Sequence, residues 1–378
     1  MSVARPPRIL LLSVSAGAGH MRAAEALKAG ALAERPDAEV VHLDVMNYVN
    51  ATFRKIYTDL YIKLVTNHPA LWGWIYQAST EAEPDATGQK LRRVVERLST
   101  RRLRDAIDEF APDAIVCTHF LPAELLMREI AKGRLQAPVW VQVTDYDLHR
   151  MWVIPNMTGF FVGNEEVAFR MRAHAIDPAR IHVTGIPIMP AFAQSYDRAA
   201  CASAFGLDPA RRTCLLMGGG AGLGVAALAH RLLAVDPALQ LVVLAGKNAQ
   251  ALAELQAMAA REGKGRLFPM GFTSEVPRLM ATADIVVTKP GGLTTSECLA
   301  MGLPMIVSDP IPGQEERNAD YLLENGAALK AIDPLALEHR MRLIAAAPER
   351  LEVMRRNARA LGRPHAAIEA MRIVFGKL

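Results

Sequence analysis

The sequence predicts an α/β chain of two doubly wound domains that face each other across a central cleft. Three observations predict it. A short apolar run, a glycine-rich turn and a helix-forming stretch follow one another from Arg8 to Glu34, and the same succession restarts at Thr213. Between them, Thr184, Gly185, Ile186, Pro187, Ile188, Met189 and Pro190 are held extended by their prolines and read as a linker. A third succession of strand, turn, helix and strand spans Asp284 to Ser308. Ligands of such sheets bind outside the carboxyl ends of the strands, which puts the expected site in the cleft.

At 378 residues the chain can build two or three cores. About half of it is apolar, yet no stretch of membrane-spanning length lacks charges or turn signals. Four scattered cysteines (Cys117, Cys201, Cys214, Cys298) without C-x-x-C spacing point to reduced cytosol, with neither a metal site nor a disulfide frame. A net charge of +4 is too small to argue for nucleic acid, but it permits attraction to an anionic lipid surface where basic residues are local.

In the first half, Arg8 to Val14 reads as a buried strand, and Ala23, Ala24, Leu27 and Ala31 line one face of the helix that follows. Gly17 and Gly19 lead to Arg22 where a dinucleotide fingerprint needs its third glycine, so that reading is weak. His20 opens the helix. The dipole there disfavours imidazolium and leaves a neutral nitrogen for use as a base; the alternative is a histidine that only helps to cap the helix. From Asn47 to Ser79, Tyr48, Phe53, Tyr57, Tyr61, Trp72, Trp74 and Tyr76 alternate with Arg54, Lys55 and Lys63. This is either a helix packed on its own domain or a segment in contact with lipid. Arg92, Arg93, Arg101, Arg102 and Arg104 follow, a solvated face or a second lipid contact.

Ala114 to Cys117 and Val139 to Val143 read as further strands, separated by a helix over Ala123 to Ala131. After the second come Asp145 and Asp147, a D-x-D pair, with His149 and Trp152 close behind. Two carboxylates without further ligands make a thin metal site, so no metal is expected here. Capping of strand ends is the structural alternative for these polar residues.

In the second half, strand Thr213 to Met217 runs into Gly218, Gly219, Gly220, Ala221, Gly222, Leu223 and Gly224, either a diphosphate contact or a simple tight turn. Leu241 to Leu244 is another strand, and Glu275 to Ala281 is helix-like. Lys289, Pro290, Gly291 and Gly292 then turn the chain into a helix expected from Thr294 to Gly302. Its start suits a phosphate. Strand Met305 to Ser308 leads to an expected polar loop, Pro312 to Glu316, whose amide and carboxylates suit several hydroxyls at once. A phosphate cradle beside a hydroxyl reader describes a nucleotide-sugar site. Glu297 has a competing reading, because Thr294-x-x-Glu297 is also a capping box.

Lys289-Pro-Gly-Gly292, Thr294-Thr-Ser-Glu297, Pro312-Gly-Gln-Glu-Glu316 and Asn318 together resemble the donor half of the diacylglycerol glycosyltransferases of glycosyltransferase family 28. That group includes processive diacylglycerol glucosyltransferases and monogalactosyldiacylglycerol synthases. The glycine turn ending in His20, the Asp145–Trp152 segment and the Gly-Ile-Pro linker extend the likeness along nearly the whole chain. It implies a GT-B fold of two Rossmann-like domains. Residues 1–185 would be an acceptor and membrane-associating domain, 186–358 a UDP-sugar domain, and 359–378 a segment packing back on the first.

The implied activity is inverting transfer of glucose or galactose from a UDP-sugar to diacylglycerol, at the cytoplasmic face of a membrane and without an obligate metal or other cofactor. His20 would be the base and Asp145 its helper. Gly218, Gly219, Gly220, Gly222, Phe272, Gly291, Gly292, Thr294, Glu297, Gln314, Glu315 and Asn318 would hold the UDP-sugar. Trp72, Trp74, His149 and Trp152 would face the acceptor or membrane. Another lipid acceptor, or a UDP-sugar epimerase or binding protein of the same fold, is the alternative.

Overall fold

The computed structural model describes residues 5–15, 17–49, 54, 101–218, 224–263 and 265–378. The aromatic and basic stretch from Asn47 to Ser79 lies almost wholly outside them, as do Trp72, Trp74, Gly219, Gly220 and Gly222. The chain forms two compact units. One comprises Met1–Pro190, Ile311–Arg317 and His365–Leu378, the other Ala191–Pro310 and Asn318–Pro364. The first boundary thus falls at 190 rather than 185. The return of the chain begins at 365 rather than 359, and the short stretch 311–317 groups with the first unit.

The first unit holds six strands: β1 (Arg8–Ser13), β2 (Glu39–Asp44), β3 (Ala114–Cys117), β4 (Val139–Gln142), β5 (Gly159–Phe161) and β6 (Ile181–His182). All pairings are parallel, in the order β2-β1-β3-β4-β5-β6. Parallel sheets are covered on both faces, so their strands need unbroken apolar runs. Ile9 to Leu12, Ala114 to Cys117 and Val139 to Val141 are buried along their whole length.

Helix α1 (Ala18–Glu34) buries Ala23, Ala24, Leu27 and Ala31, the face its spacing predicts. The final helix of the chain (Ala366–Phe375) packs against it, adding Ala370, Met371 and Val374 to the cluster around Leu27 and Ala31. The two helix backbones approach closely at Gly30, where a Cβ would come within 2.7 Å of the Ala367 carbonyl carbon. Only glycine fits there. Helix α2 (Arg101–Phe110) buries Leu103 and Ile107 against the other face of the sheet, and α3 (Phe120–Ala131) follows β3.

The second unit repeats the plan with β7 (Thr213–Met217), β8 (Gln240–Leu244), β9 (Leu267–Met270), β10 (Ile285–Thr288), β11 (Met305–Ser308) and β12 (Ala328–Ala331). These are again all parallel, ordered β12-β11-β10-β7-β8-β9. Each sheet reverses its winding once. In the first unit the chain turns outward on either side of β1 and β3; in the second it does so between β7 and β10. Loops leaving such a switch point diverge and open a crevice at the carboxyl ends of the strands. No helix among the described residues is long and apolar enough to cross a membrane.

Candidate active site

The switch point of the first unit is flanked by the segments after β1 and β3, and each supplies a histidine. Helix α1 starts from Gly17, which is extended (φ −154°, ψ 140°) and offers no side-chain cap, so His20 sits in the first turn. Its Nδ1 lies 2.9 Å from the carbonyl oxygen of Thr118, just past β3, and 3.1 Å from the Thr144 hydroxyl past β4. A carbonyl oxygen only accepts, so Nδ1 carries the hydrogen and Nε2 keeps the lone pair. Thr118 is fixed in turn, its N–H donating to Leu12 at 2.9 Å and its hydroxyl to the His20 carbonyl at 2.9 Å. Burial pushes the His20 pKa down to about 4, against the upward pull of the hydrogen bond to Thr118. The helix start adds to this in sign, but lost hydration is the larger cause. His20 is a neutral base across the physiological range.

Around it stand His119, Phe120 and Trp152. The His119 ring meets that of His20 edge to face, with centroids 4.5 Å apart, and Phe120 and Trp152 are T-shaped at 5.8 Å. Trp152 is 3% exposed and its ring centroid is 6.3 Å from that of His20, so it backs the site from within the core. His119 was not singled out by the sequence patterns. A signal was present, though, in the polar pair Thr118–His119 that follows a strand end beside the first glycine turn.

His149 is 4% exposed and accepts the Met151 N–H at 3.1 Å, capping the short turn Arg150–Trp152 that seats the tryptophan. Asp145 follows Thr144 and is half-buried. The orienting contacts on the His20 Nδ1 come from the Thr118 carbonyl and the Thr144 hydroxyl. Asp147 pairs with Arg170 at 3.4 Å. Among the described residues no group of three His, Cys, Asp or Glu side chains is arranged to hold a metal ion.

In the second unit the switch point lies between the ends of β7 and β10. Gly218 leaves β7 there, and Lys289 to Gly292 leave β10. The helix after the glycine pair, α9 (Gly292–Ala300 in chain order), begins two residues earlier than Thr294. Gly291 is its N-cap, with φ −65° and ψ 144°, so this glycine gives room rather than an unusual backbone conformation. No side chain caps the helix. Thr294 is already helical, which rules out the capping box, because a capping residue must stand outside the helix. Glu297 therefore lies one turn in, on a helix whose first amides point out from the switch point.

Asn318 is fully buried and donates to the Pro290 carbonyl at 3.1 Å, so it holds the glycine turn in place. The expected polar loop is instead the first turn of a helix, Gln314–Glu324. Glu315, 9% exposed, accepts the Ile311 N–H at 2.7 Å, and Glu316 accepts the Gly313 N–H at 2.9 Å. Acidic residues are favoured in a first turn, and here they tie down the chain leading into it. Phe272, past β9, is 74% exposed, with the Lys247 ammonium 5.4 Å from its ring centroid. A bare aromatic face beside a cation at the strand ends suits a flat base.

Residues 20–188 match the family model described as monogalactosyldiacylglycerol (MGDG) synthase, and residues 225–361 match glycosyl transferases group 1. The chain is a glycosyltransferase similar to the diacylglycerol glycosyltransferases. It is 27% identical over 327 residues to a processive diacylglycerol beta-glucosyltransferase of Bacillus subtilis, covering 85% of this chain and 82% of that one. With the protein of the same name from Bacillus pumilus it shares 27% over 365 residues, covering 95% and 92%.

Among solved structures, the glycosyltransferase resembles Acinetobacter baumannii MurG with a TM-score of 0.57, 12% identity and coverage of 98% and 100%. It resembles a UDP-GlcNAc 2-epimerase from Neisseria meningitidis, bound to UDP-GlcNAc, with a TM-score of 0.59, 14% identity and coverage of 98% and 99%. The fold is GT-B. Transferases and epimerases share it, so the fold alone does not name a reaction.

Proposed function

We propose that this glycosyltransferase moves a hexose, glucose or galactose, from a UDP-sugar to the free hydroxyl of diacylglycerol, with inversion at the anomeric carbon. The observation that carries this reading is the His20 lone pair at Nε2, held neutral and aimed by the Thr118 carbonyl. The acceptor oxygen attacks the anomeric carbon from the face opposite the diphosphate. Its proton passes to Nε2 as the bond from the sugar to the phosphate oxygen breaks. An α-linked donor then yields a β-glycolipid.

The leaving diphosphate is met by the uncapped first turn of α9 without a required metal. Phe272 takes the uracil and Glu297 the ribose hydroxyls, while Asp145 assists at the acceptor side. Trp152 supports the apolar wall there. The names of the curated relatives favour diacylglycerol as acceptor over the alternatives that share the fold. The reaction then runs at the cytoplasmic face of a membrane rich in anionic lipid, with the protein bound peripherally.

The test is transfer of label from UDP-glucose and UDP-galactose to diacylglycerol in anionic micelles, with and without EDTA. Label in the lipid phase, undiminished by EDTA, is the expected outcome and names the donor. Epimerised or hydrolysed UDP-sugar with unlabelled lipid overturns the acceptor assignment.

A further inference from the structure

The segment after β3 brings His119 beside the base, and its chemistry complements that of His20. Its Nδ1 accepts the Leu121 N–H at 3.0 Å and so caps α3. A neutral imidazole that accepts at Nδ1 carries its hydrogen at Nε2. His20 holds the opposite tautomer, with its hydrogen at Nδ1 towards Thr118 and its lone pair at Nε2. Among the described residues none bonds the Nε2 of His119, which is itself buried, 4% exposed, beside the half-buried His20. The two rings, 4.5 Å apart and nearly perpendicular, thus offer a lone pair and an N–H side by side. Burial and the neighbouring His20 keep His119 uncharged as well.

Resting on the transfer reading above, we propose that His119 is a second acceptor-binding residue, whose Nε2–H donates to the carbonyl oxygen of the ester next to the attacking hydroxyl while His20 takes the hydroxyl proton. Diacylglycerol carries such a pair, a free hydroxyl on one carbon and an ester on its neighbour. A lone alcohol offers only the first. Holding both oxygens fixes rotation about the bond between those carbons, so the hydroxyl meets the His20 lone pair in one orientation. His119 itself gains and loses no proton in the step.

Two substitutions separate the cap from the donor. His119→Asn keeps an acceptor oxygen at the position of Nδ1, and asparagine is a good N-cap, but the Nε2–H is gone. His119→Gln returns an N–H near that position and loses the reach back to Leu121. The Asn variant is expected to keep its melting temperature and UDP affinity, while its KM for dioleoylglycerol rises roughly tenfold, the loss of one hydrogen bond. With a dialkylglycerol, whose ether oxygens accept poorly, wild type should show the raised KM and the Asn variant no further increase. The Gln variant should melt lower with a KM close to wild type.

A well-folded Asn variant with wild-type KM for the diester, or with the same penalty on diester and diether, overturns the inference and leaves His119 a helix cap. If that occurs while wild type transfers and His20→Ala does not, only the inference fails. A wild type that labels no lipid overturns the transfer reading and the inference together.

Discussion

Helix α1 follows β1 and helix α9 follows β10, each at the switch point of its own sheet, and each begins at an extended glycine that makes no side-chain cap. Their first turns then diverge. In α1 the third residue is His20, with the Thr118 carbonyl at its Nδ1 and its charge suppressed by burial. In α9 the first turn holds no acidic side chain, and the partner that steadies the loop is the buried Asn318 amide on Pro290. The same backbone start presents a neutral imidazole where a neighbouring strand aims one, and in the other helix leaves first-turn amides that no side chain caps. On the reading proposed above, the first start would take the proton of the nucleophile and the second would meet the negative charge of the leaving group.

Breaking the first start should have the largest effect. His20→Ala is expected to lower turnover by about three orders of magnitude, within the span of general-base catalysis, with UDP affinity unchanged. Isothermal titration with UDP beside a transfer assay checks both, and retained turnover removes His20 as the base.

Breaking the second start acts on stability first. Asn318→Ala leaves the Pro290 carbonyl without its amide donor and should lower stability by about 1–3 kcal/mol, measured by urea unfolding. An unchanged unfolding midpoint would mean that the turn is held by other contacts. Glu297→Ala should weaken UDP binding about tenfold with little change in stability, because no capping box is lost. A marked fall in melting temperature at unchanged UDP affinity would restore a structural role for that carboxylate.

The strand pattern was legible because parallel strands need unbroken apolar runs. Ala114 to Cys117, Thr213 to Met217 and Met305 to Ser308 were read from the sequence with the bounds that the structure gives. The short edge strand β6 and the half-polar β2 carried no such run and were not read. His20 was legible from its place after a glycine turn. The Thr118 contact on its Nδ1 was not, since Thr118 lies 98 residues away and acts through a backbone carbonyl that every residue type possesses. For the same reason the bonds by which Glu315 and Asn318 tie down their own loops were not legible. A polar residue in a glycine-rich stretch looks alike in sequence whether it faces a ligand or ties down its own loop.

The smallest effect sharpens the comparison at Nδ1. Thr144→Val removes a hydroxyl that lies 3.1 Å from that nitrogen but leaves the Thr118 carbonyl, so turnover should fall only a few-fold, on the order of one weak hydrogen bond. A loss as large as that of His20→Ala would shift the orienting role to Thr144. Stability should also respond to pH with a definite sign. The folded pKa of His20 lies below that of the unfolded chain, so its contribution is complete above about pH 6.5 and is lost as pH falls from there through about 4. Unfolding midpoints measured across that interval should decline for wild type, and less steeply for His20→Ala.

The central claim is that His20 is a neutral base with its hydrogen on Nδ1 and its lone pair on Nε2. Nitrogen-15 NMR of the histidine side chains, with His20→Gln used for assignment, tests it most directly. The account predicts a protonated Nδ1 and a bare Nε2 at neutral pH, with titration only near pH 4. A hydrogen on Nε2, or titration near the ordinary histidine value of about 6.5, would contradict it.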